Sequence, residues 1–454
     1  MKGGGHDTSR RVFLSAMGAA AAGYALWPRT PKSHGSIPRG RVVVEYWEKW
    51  TGTEAAAVQS LVDEFNASQD RIWVRRLSVS EIVPKTMVAI GGGDPPDVVG
   101  LYSYNVAPFA ESGAVFSFDE APKAFRVEKD EYLPAVRGLL TYEGRQWAGV
   151  NSCYTLAAYC NMALFKEAGI ERLPGTLDEL AECNRRLTRQ DGRGALERVG
   201  FLPNLPNWWP YVWPVVYNGS LFDAATKKAT IASEACISAY SWVQTLAENM
   251  GRARAAEFAN AYGRTIHSAQ DPFISGRAAM IVQGPWLASF IREHAPNLDY
   301  SATPIPVDAS VFDPDLPCGL LEADVLMVPR GCKHPMEAFE FVAWMQRPQA
   351  QERLATLHCK SSPMRRVSQG FIESHPNRAV AVFDRVARSD RVMTLPQTRA
   401  WQPYSDMTIG AFDRIWGGED VKAVLTGVQT RAQQLIDRAE SLRTKRAARR
   451  AGVP

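Results

Sequence analysis

The feature that most constrains the fold is an alternation of strand and helix patterns in residues 41–102. RVVVEYW (41–47) is a run of β-branched and aromatic residues, and a helical stripe containing Ala55, Val58 and Phe65 follows it. RIWVRRL (71–77) predicts a second strand, residues 80–90 a second helix, and DVVGLY (97–102) a third strand. Because strands joined by crossover helices are parallel, this order predicts a mostly parallel, doubly wound α/β sheet.

That topology places aromatic residues at one edge of the sheet. Ligands bind beyond the carboxyl ends of the strands in open α/β sheets. Trp47 and Trp50 follow the first strand, and Tyr102 and Tyr104 follow the third. These side chains are therefore candidates for a binding site, with core packing as the alternative for the tryptophans. Glu48 and Lys49 lie between the two tryptophans, and each could reach a ligand hydroxyl or remain solvated.

The pattern changes character near residue 150. YEGRQWAGV and CYTLAAYCN predict two further strands, and the loop NLPNWWPYVWP (204–214) contains three tryptophans and three prolines. Ser/Thr followed by Glu at the third position is a capping box, which we expect at Thr51 with Glu54 and at Thr176 with Glu179. Within 271–295 we expect a helix, a short strand (AAMIVQG) and a second helix from Pro285.

The two ends of the chain differ from the rest. Residues 1–27 contain Arg10-Arg11 before a short apolar run, typical of a twin-arginine export signal. This run is shorter than the roughly 20 apolar residues that span a membrane, although uncleaved anchoring stays open. A linker, 28–40, follows, and residues 438–454 form a basic tail that is either solvated or a membrane-surface patch.

Composition narrows the function classes. A net charge of +4, whose basic excess lies at the two ends of the chain, does not favour a nucleic-acid partner. The seven cysteines contain no Cys-x-x-Cys, and their odd number leaves at least one thiol unpaired. No metal-binding histidine spacing, phosphate-binding loop or Gly-x-Ser-x-Gly is present. We therefore expect no metal and no cofactor. A secreted glycoside hydrolase remains an alternative, because it needs only two carboxylates close in space.

Five segments in order over roughly residues 41–365 give the chain a family resemblance. They are VVVEYWEKWTGTE, GGGDPPDVV with ESGAVFSFDE, YEGRQWAGVNSCYTLAAYCNMALFKEAGIERLPGTLDEL, FISGRAAMIVQGPW and FEFVAWMQRPQAQERLA. Together they resemble the family 1 extracellular solute-binding proteins of sugar ABC importers, which are maltose-binding-protein-like. The proline usual after the Gly-x-x-Trp-Ala strand is replaced by Asn151.

The resemblance implies a periplasmic binding protein type II-like α/β fold. Two discontinuous lobes would enclose a ligand cleft, with lobe one at 41–152 plus 281–325 and lobe two at 153–280 plus 326–437. The chain would be an exported, monomeric, non-catalytic binder in the periplasm or on the outer face of the cytoplasmic membrane. It would close on a mono- to oligosaccharide by a hinge motion and deliver it to a permease. The alternatives are glycerol phosphate or another polyol, or a ligand-free scaffold.

Sugars stack on aromatic rings and hydrogen-bond to planar polar groups, which selects further candidates. Asn151 and Tyr154 lie where the resemblance implies a crossing between lobes, with hinge hydrogen bonding as the alternative. Trp208 and Trp209 lie in the proline-stiffened loop, whereas Trp213 is expected in the core. The remaining candidates are Gln283, Trp286, Gly319, Glu322, Arg365 and Trp401.

Overall fold

A computed structural model describes residues 37–126, 129–263 and 265–450 of the 454. The predicted export signal (1–27), residues 28–36 of the linker and residues 451–454 of the tail lie outside the described residues. Within the described part of the chain, no helix is long and apolar enough to cross a membrane.

The strands belong mainly to two sheets, one in each lobe. In chain order they are β1 Val42–Glu48, β2 Ile72–Ser78, β3 Val98–Tyr102, β4 Thr141–Tyr142, β5 Arg145–Gln146, β6 Gly149–Thr155, β7 Ala157–Asn161, β8 Arg189–Gln190, β9 Leu196–Arg198, β10 Phe222–Asp223, β11 Lys228–Ala229, β12 Met280–Gln283, β13 Tyr300–Pro304, β14 Gly319–Met327 and β15 Val392–Met393.

Helices cover both faces of the first sheet and surround the second. They are α1 Gly52–Ser68, α2 Ile82–Gly91, α3 Val106–Ser112, α4 Pro134–Leu140, α5 Met162–Glu167, α6 Leu177–Leu187, α7 Glu234–Met250, α8 Arg252–Tyr262, α9 Leu287–His294, α10 Pro335–Met345, α11 Pro348–Leu357, α12 Val380–Ala387, α13 Trp401–Trp416 and α14 Val421–Arg450. A 3-10 helix, Pro210–Tyr217, includes the second half of the segment 204–214 that was predicted as a loop.

The first sheet confirms the predicted start and differs at its other edge. β1 pairs in parallel with β2 and β3, as the β-α-β-α-β pattern predicts. The long strand β14 then runs antiparallel to both β3 and β6. The sheet is therefore mixed rather than mostly parallel, because a strand from late in the chain inserts between β3 and β6.

Strand pairing divides the lobes differently from the sequence-based boundaries. β12 and β13 pair on either side of β7, which places residues 280–304 in the second lobe and not the first. α10 and α11 pack with Val44, Val58 and Phe65 against the first sheet, so residues 335–357 belong to the first lobe. A single residue, Leu156, separates β6 of the first sheet from β7 of the second.

Local structure shows two further differences. The Thr176–Glu179 capping box forms, but the Thr51 side chain makes no cap hydrogen bond. The Glu54 carboxylate instead pairs with the Lys360 ammonium at 3.3 Å. The expected helix before β12 is a series of turns over 272–276, organised by the buried carboxylate of Asp271.

Each lobe has its own hydrophobic core. Two clusters cover the two faces of the first sheet, one around Val58 and Phe341 and the other around Leu101 and Val136. The second lobe packs around Tyr159, and Trp213 is buried there as expected. Burying a large apolar side chain contributes about 1.5–3 kcal/mol, so these cores stabilise the two lobes.

Gly100 of β3 leaves space for the buried carboxylate of Glu48. A Cβ at Gly100 would lie 2.0 Å from Glu48 Oε2, whereas a Cβ at Gly138 in α4 meets nothing within 4 Å. We expect Gly100→Ala to lower the free energy of unfolding by about 3 kcal/mol or more, because a buried charged group has to move. Gly138→Ala should be neutral or stabilise by less than about 1 kcal/mol. Urea denaturation of both variants tests this, and equal stabilities would contradict it.

Candidate ligand-binding site

The floor of the cleft is a network of buried charges. Lys49 Nζ lies 3.0 Å from Asp324 Oδ1 and 3.3 Å from Glu48 Oε1. Lys360 Nζ lies 3.6 Å from Asp324 Oδ2 and 3.3 Å from Glu54 Oε1. Asp324 is therefore shared by two ammonium groups, and Ser152 Oγ donates to it at 2.8 Å.

These contacts determine the ionisation of the two central groups. Burial alone would lower the pKa of Lys49, but the charges of Asp324 and Glu48 outweigh it and raise that pKa above its usual value. Burial would raise the pKa of Asp324, but Lys49 and Lys360 lower it. Both groups are therefore charged at neutral pH, and both lysines already have carboxylate partners.

Glu48 is fixed by neighbours on β1 and β6. It is fully buried, and its Oε2 accepts hydrogen bonds from the Tyr46 hydroxyl at 2.5 Å and from Asn151 Nδ2 at 2.7 Å. The Lys49 backbone N–H donates to its Oε1 at 2.8 Å. Asn151 thus holds a carboxylate below the cleft, which agrees with the hydrogen-bonding alternative for that residue. Asn151 Oδ1 has no partner among the described residues.

Glu322 is the one cleft carboxylate that is bonded by hydroxyl groups instead of lysines. Its Oε2 accepts from the Tyr154 hydroxyl at 2.7 Å, and its Oε1 accepts from Tyr211 at 3.4 Å. Burial raises the pKa of Glu322 to about 7; the hydrogen bond from Tyr154 opposes this and the charge of Asp324 adds to it. The carboxyl group can therefore accept or donate a hydrogen bond near neutral pH.

Aromatic rings of the first lobe form one wall. Tyr102 and Tyr104 stack with centroids 5.2 Å apart and planes 7° from parallel. The Lys49 ammonium lies 4.4 Å from the Trp50 ring centroid and 4.7 Å from that of Tyr102. Trp50 also packs edge-on against His358 at 4.6 Å.

Rings of the second lobe, together with Tyr154 near the end of β6, form the other wall. Tyr154 meets Trp286 edge-on with centroids 4.9 Å apart, and Trp286 lies 5.9 Å from Trp209. Trp208, which is 41% exposed, packs edge-on against Trp209 at 5.4 Å. Lys360 is 4.7 Å from the Trp50 centroid and 5.5 Å from that of Trp286, so its ammonium touches rings of both lobes.

The structure brings together most of the residues selected from the sequence. Those that line or underlie the cleft are Lys49, Trp50, Tyr102, Tyr104, Asn151, Tyr154, Trp208, Trp209, Trp286 and Glu322. Two others lie close behind it. Trp401 is buried and packs edge-on against Tyr211 at 5.6 Å, and Gln283 is buried with its Oε1 accepting from the Gly284 N–H.

Three selected residues lie elsewhere. Trp47 is buried with Leu77 and Val99 in the hydrophobic cluster on one face of the first sheet, so its ring belongs to the core of the first lobe. Gly319 begins β14, and a Cβ there would lie 2.4 Å from Val386, so it serves packing. Arg365 is exposed, and its backbone groups bond to Glu131 and Arg388.

Five cleft residues were not selected from the sequence. Asp324 lies in an otherwise mainly apolar strand, and Lys360 lies in a buried segment after α11. The only signal that could have identified them is that each is a charged residue within a buried segment. Tyr211 lay within the tryptophan-rich loop and could have been included with it. Glu54 appeared to belong to a helix cap, and His267 had no motif around it.

The described residues contain no group of three or more His, Cys, Asp or Glu side chains that could hold a metal ion. All seven cysteines fall within them, and none is paired. The cleft therefore presents carboxylates, hydroxyls and aromatic faces as its binding groups.

The Glu322 pKa predicts a pH-dependent difference between wild type and Glu322→Gln. The folded pKa of about 7 lies above the usual 4.5. The native state therefore binds the additional proton, and wild-type stability from this group is present at low pH and lost as pH rises toward 7. Relative to Glu322→Gln, the free energy of unfolding of wild type should fall by about 2 kcal/mol between pH 5 and pH 8.

Urea denaturation of both proteins at the two pH values measures this difference. Burial lowers the pKa of both His267 and His358 to about 4, which gives wild type and variant the same opposite trend below pH 6.5. Subtracting the free energy of unfolding of the variant from that of wild type at each pH removes the shared histidine contribution. A difference independent of pH would contradict a raised pKa at Glu322.

Comparisons with known proteins agree with this geometry. The profile of the bacterial extracellular solute-binding proteins matches residues 49–352. A maltotriose-binding protein of Pyrococcus abyssi is 23% identical over 270 residues, 59% of this chain and 54% of that protein. The sn-glycerol-3-phosphate-binding periplasmic protein UgpB of Yersinia pestis is 25% identical over 174 residues, 36% of this chain and 38% of that protein. The chain thus matches about half or less of the length of these curated relatives.

Solved structures extend the likeness over most of the fold. The structure of CpMnBP1 with mannotriose bound has a TM-score of 0.75 and 23% identity, covering 86% of this chain and 100% of that one. The GacH receptor of Streptomyces glaucescens has a TM-score of 0.70 and 22% identity, covering 87% and 98%. Both support a two-lobe α/β fold. Since the family profile matches well over half of the sequence, this chain belongs to the family of bacterial extracellular solute-binding proteins.

Proposed function

We propose that this protein binds a neutral sugar, from a mono- to an oligosaccharide, between its two lobes. The observation that carries the proposal is the pair of aromatic walls around Glu322. Apolar C–H faces of a sugar stack on rings such as Tyr102 and Trp286, and its hydroxyls bond to a carboxylate. Tyr154 and Tyr211 orient that carboxylate from two sides. Relatives that bind maltotriose, and a similar fold with mannotriose bound, support the same ligand class.

The charge balance favours a neutral sugar over glycerol phosphate, the alternative raised by one of the relatives. The ammonium groups of Lys49 and Lys360 form ion pairs with three carboxylates, those of Glu48, Glu54 and Asp324. Glu322 adds a fourth carboxyl group, so carboxyl groups outnumber ammonium groups in the cleft. A phosphate needs unpaired cationic donors. Releasing Lys49 or Lys360 to a phosphate would leave buried Asp324 without a partner, which costs several kcal/mol.

The same network argues against hydrolysis. A glycoside hydrolase needs one carboxylic acid and a second carboxylate free to act as base or nucleophile. Asp324 is held by two lysines and Ser152, and Glu48 lies below the floor with Tyr46 and Asn151. We infer a binder that returns its ligand unchanged. A ligand-free scaffold gives no reason for Trp208 to be exposed and Trp209 half-buried at this surface, since apolar surface is normally buried.

Family membership supports the rest of the proposal. The twin-arginine signal in residues 1–27 would export the folded chain to the periplasm or to the outer face of the cytoplasmic membrane. There the monomeric protein would close around the sugar by a hinge motion and deliver it to the permease of an ABC importer. Leu156, the single residue between β6 and β7, marks one crossing at which that hinge would act.

The experiment is a thermal-shift screen of the chain without residues 1–27 against sugars, polyols and their phosphates. A compound that binds only the folded state raises the melting temperature by mass action. A shift with neutral sugars, with the sugar recovered intact, supports the proposal. A shift only with phosphates supports glycerol phosphate or a related polyol, a consumed sugar supports a hydrolase, and no shift favours a scaffold.

Replacing Trp208 and Trp209 by alanine together should weaken sugar binding without unfolding the protein. Aromatic residues at a binding surface contribute disproportionately, so we expect the dissociation constant for the sugar found in the screen to rise at least about 10-fold. Calorimetry measures it. Trp73→Ala is the matched control, because Trp73 is a half-buried ring on the edge strand β2. Unchanged affinity in the folded double variant would remove this loop from the site.

A further inference from the structure

His267 lies at the point where three aromatic rings of the second lobe meet. Its ring stacks on Phe290 with centroids 4.0 Å apart and planes 6° from parallel. Trp208 meets it edge-on at 5.0 Å. The Trp286 indole Nε1–H donates a hydrogen bond to His267 Nε2 at 3.2 Å. One imidazole therefore links Trp208 and Trp286, the outer and inner rings of the wall.

The hydrogen bond determines the protonation state of this histidine. An indole N–H can only donate, so His267 Nε2 has to accept and the ring proton resides on Nδ1. Burial lowers the pKa of His267 to about 4, and the charge of Glu54 from the first lobe acts in the opposite direction. The ring is therefore neutral at neutral pH, as the acceptor role requires.

The backbone conformation of His267 and its hydrogen bond to Asp271 fix the position of the imidazole ring. His267 has φ +64°, a left-handed conformation that only a few per cent of non-glycine residues adopt, with Asn, Asp and His the most frequent among them. Its N–H donates to the fully buried carboxylate of Asp271 at 3.0 Å, which also accepts from the N–H groups of Phe273 and Ile274. Such a residue persists only where the surrounding structure compensates for the conformation.

From these contacts we propose that His267 is a positioning residue of the binding platform, which sets the plane of the Trp286 indole and supports Trp208. This inference rests on the proposed sugar-binding function of the cleft. The Trp286 ring contacts Tyr154 and Trp209 and has no other hydrogen-bond partner for its N–H among the described residues. Without the acceptor, the indole is free to rotate or to turn its N–H toward solvent, and the stacking face is lost.

Two amide variants separate the acceptor from the backbone conformation. The Gln amide reaches the place of the histidine Nε2, whereas the shorter Asn amide reaches only that of Nδ1. Asparagine is the better tolerated of the two in left-handed backbone. If His267 acts as the acceptor, His267→Gln retains the wild-type arrangement and His267→Asn loses it. If His267 serves only the backbone, the order is reversed.

The primary readout needs no ligand. In protein labelled with 15N-tryptophan, the indole N–H resonance of Trp286, assigned with Trp286→Phe, reports the hydrogen bond and its exchange with solvent. We expect His267→Gln to keep this resonance close to its wild-type position with slow exchange. His267→Asn should shift it toward the position of an exposed indole and raise its exchange rate about 10-fold or more. Equal spectra for the two variants, or a larger change in His267→Gln, would overturn the proposal.

Binding of maltotriose and of mannotriose by wild type and both variants is the second readout. A loss of affinity of about 10-fold in His267→Asn, with His267→Gln within about threefold of wild type, supports the positioning role. Equal affinity in folded His267→Asn overturns it. If wild type binds neither sugar nor any compound of the screen, the proposed function fails, while the Trp286 resonance still decides whether His267 orients the platform.

Discussion

The buried charge network of Lys49, Asp324 and Lys360 is the interaction on which the cleft depends. Each ammonium has a carboxylate within 3.3 Å, and Asp324 bonds to both lysines and to Ser152. Removing one partner of such a pair leaves an uncompensated buried charge and costs about 3–5 kcal/mol. The network therefore fixes the chain segments that contribute its members, since none of these side chains can turn away without leaving a buried charge unpaired.

The aromatic walls take their geometry from that network. The Lys49 ammonium lies over Trp50 and Tyr102 of the first lobe, and Lys360 lies near Trp50 and Trp286, one ring from each lobe. Attraction between a desolvated cation and a ring face contributes up to about 2 kcal/mol. The charges thus hold the rings in place while remaining paired, so that the rings and Glu322 are left to meet a ligand.

Local sequence patterns predicted the elements of the first lobe because each rests on short-range physics. The strands 42–48, 72–78 and 98–102 follow β-branched runs, and the end of β3 places Tyr102 and Tyr104 at the cleft as the strand-end rule predicts. The same rule was insufficient for Trp47, whose side chain packs into the hydrophobic cluster on one face of the first sheet. The capping box predicted at Thr51 and Glu54 was wrong: the Thr51 side chain makes no cap hydrogen bond, and the Glu54 carboxylate pairs with Lys360 from a distant part of the chain.

The sequence by itself determined the α/β class, the parallel start of the first sheet, the family and most rings of the cleft, since periodicity and motif order are local properties. Only the tertiary structure decided which strands share a sheet. β14 inserts between β3 and β6, and β12 and β13 flank β7, through backbone pairing that side-chain patterns do not encode. It also decided the partners of Asp324, Lys360 and His267, because the contacts that give these residues their roles join segments distant in the chain.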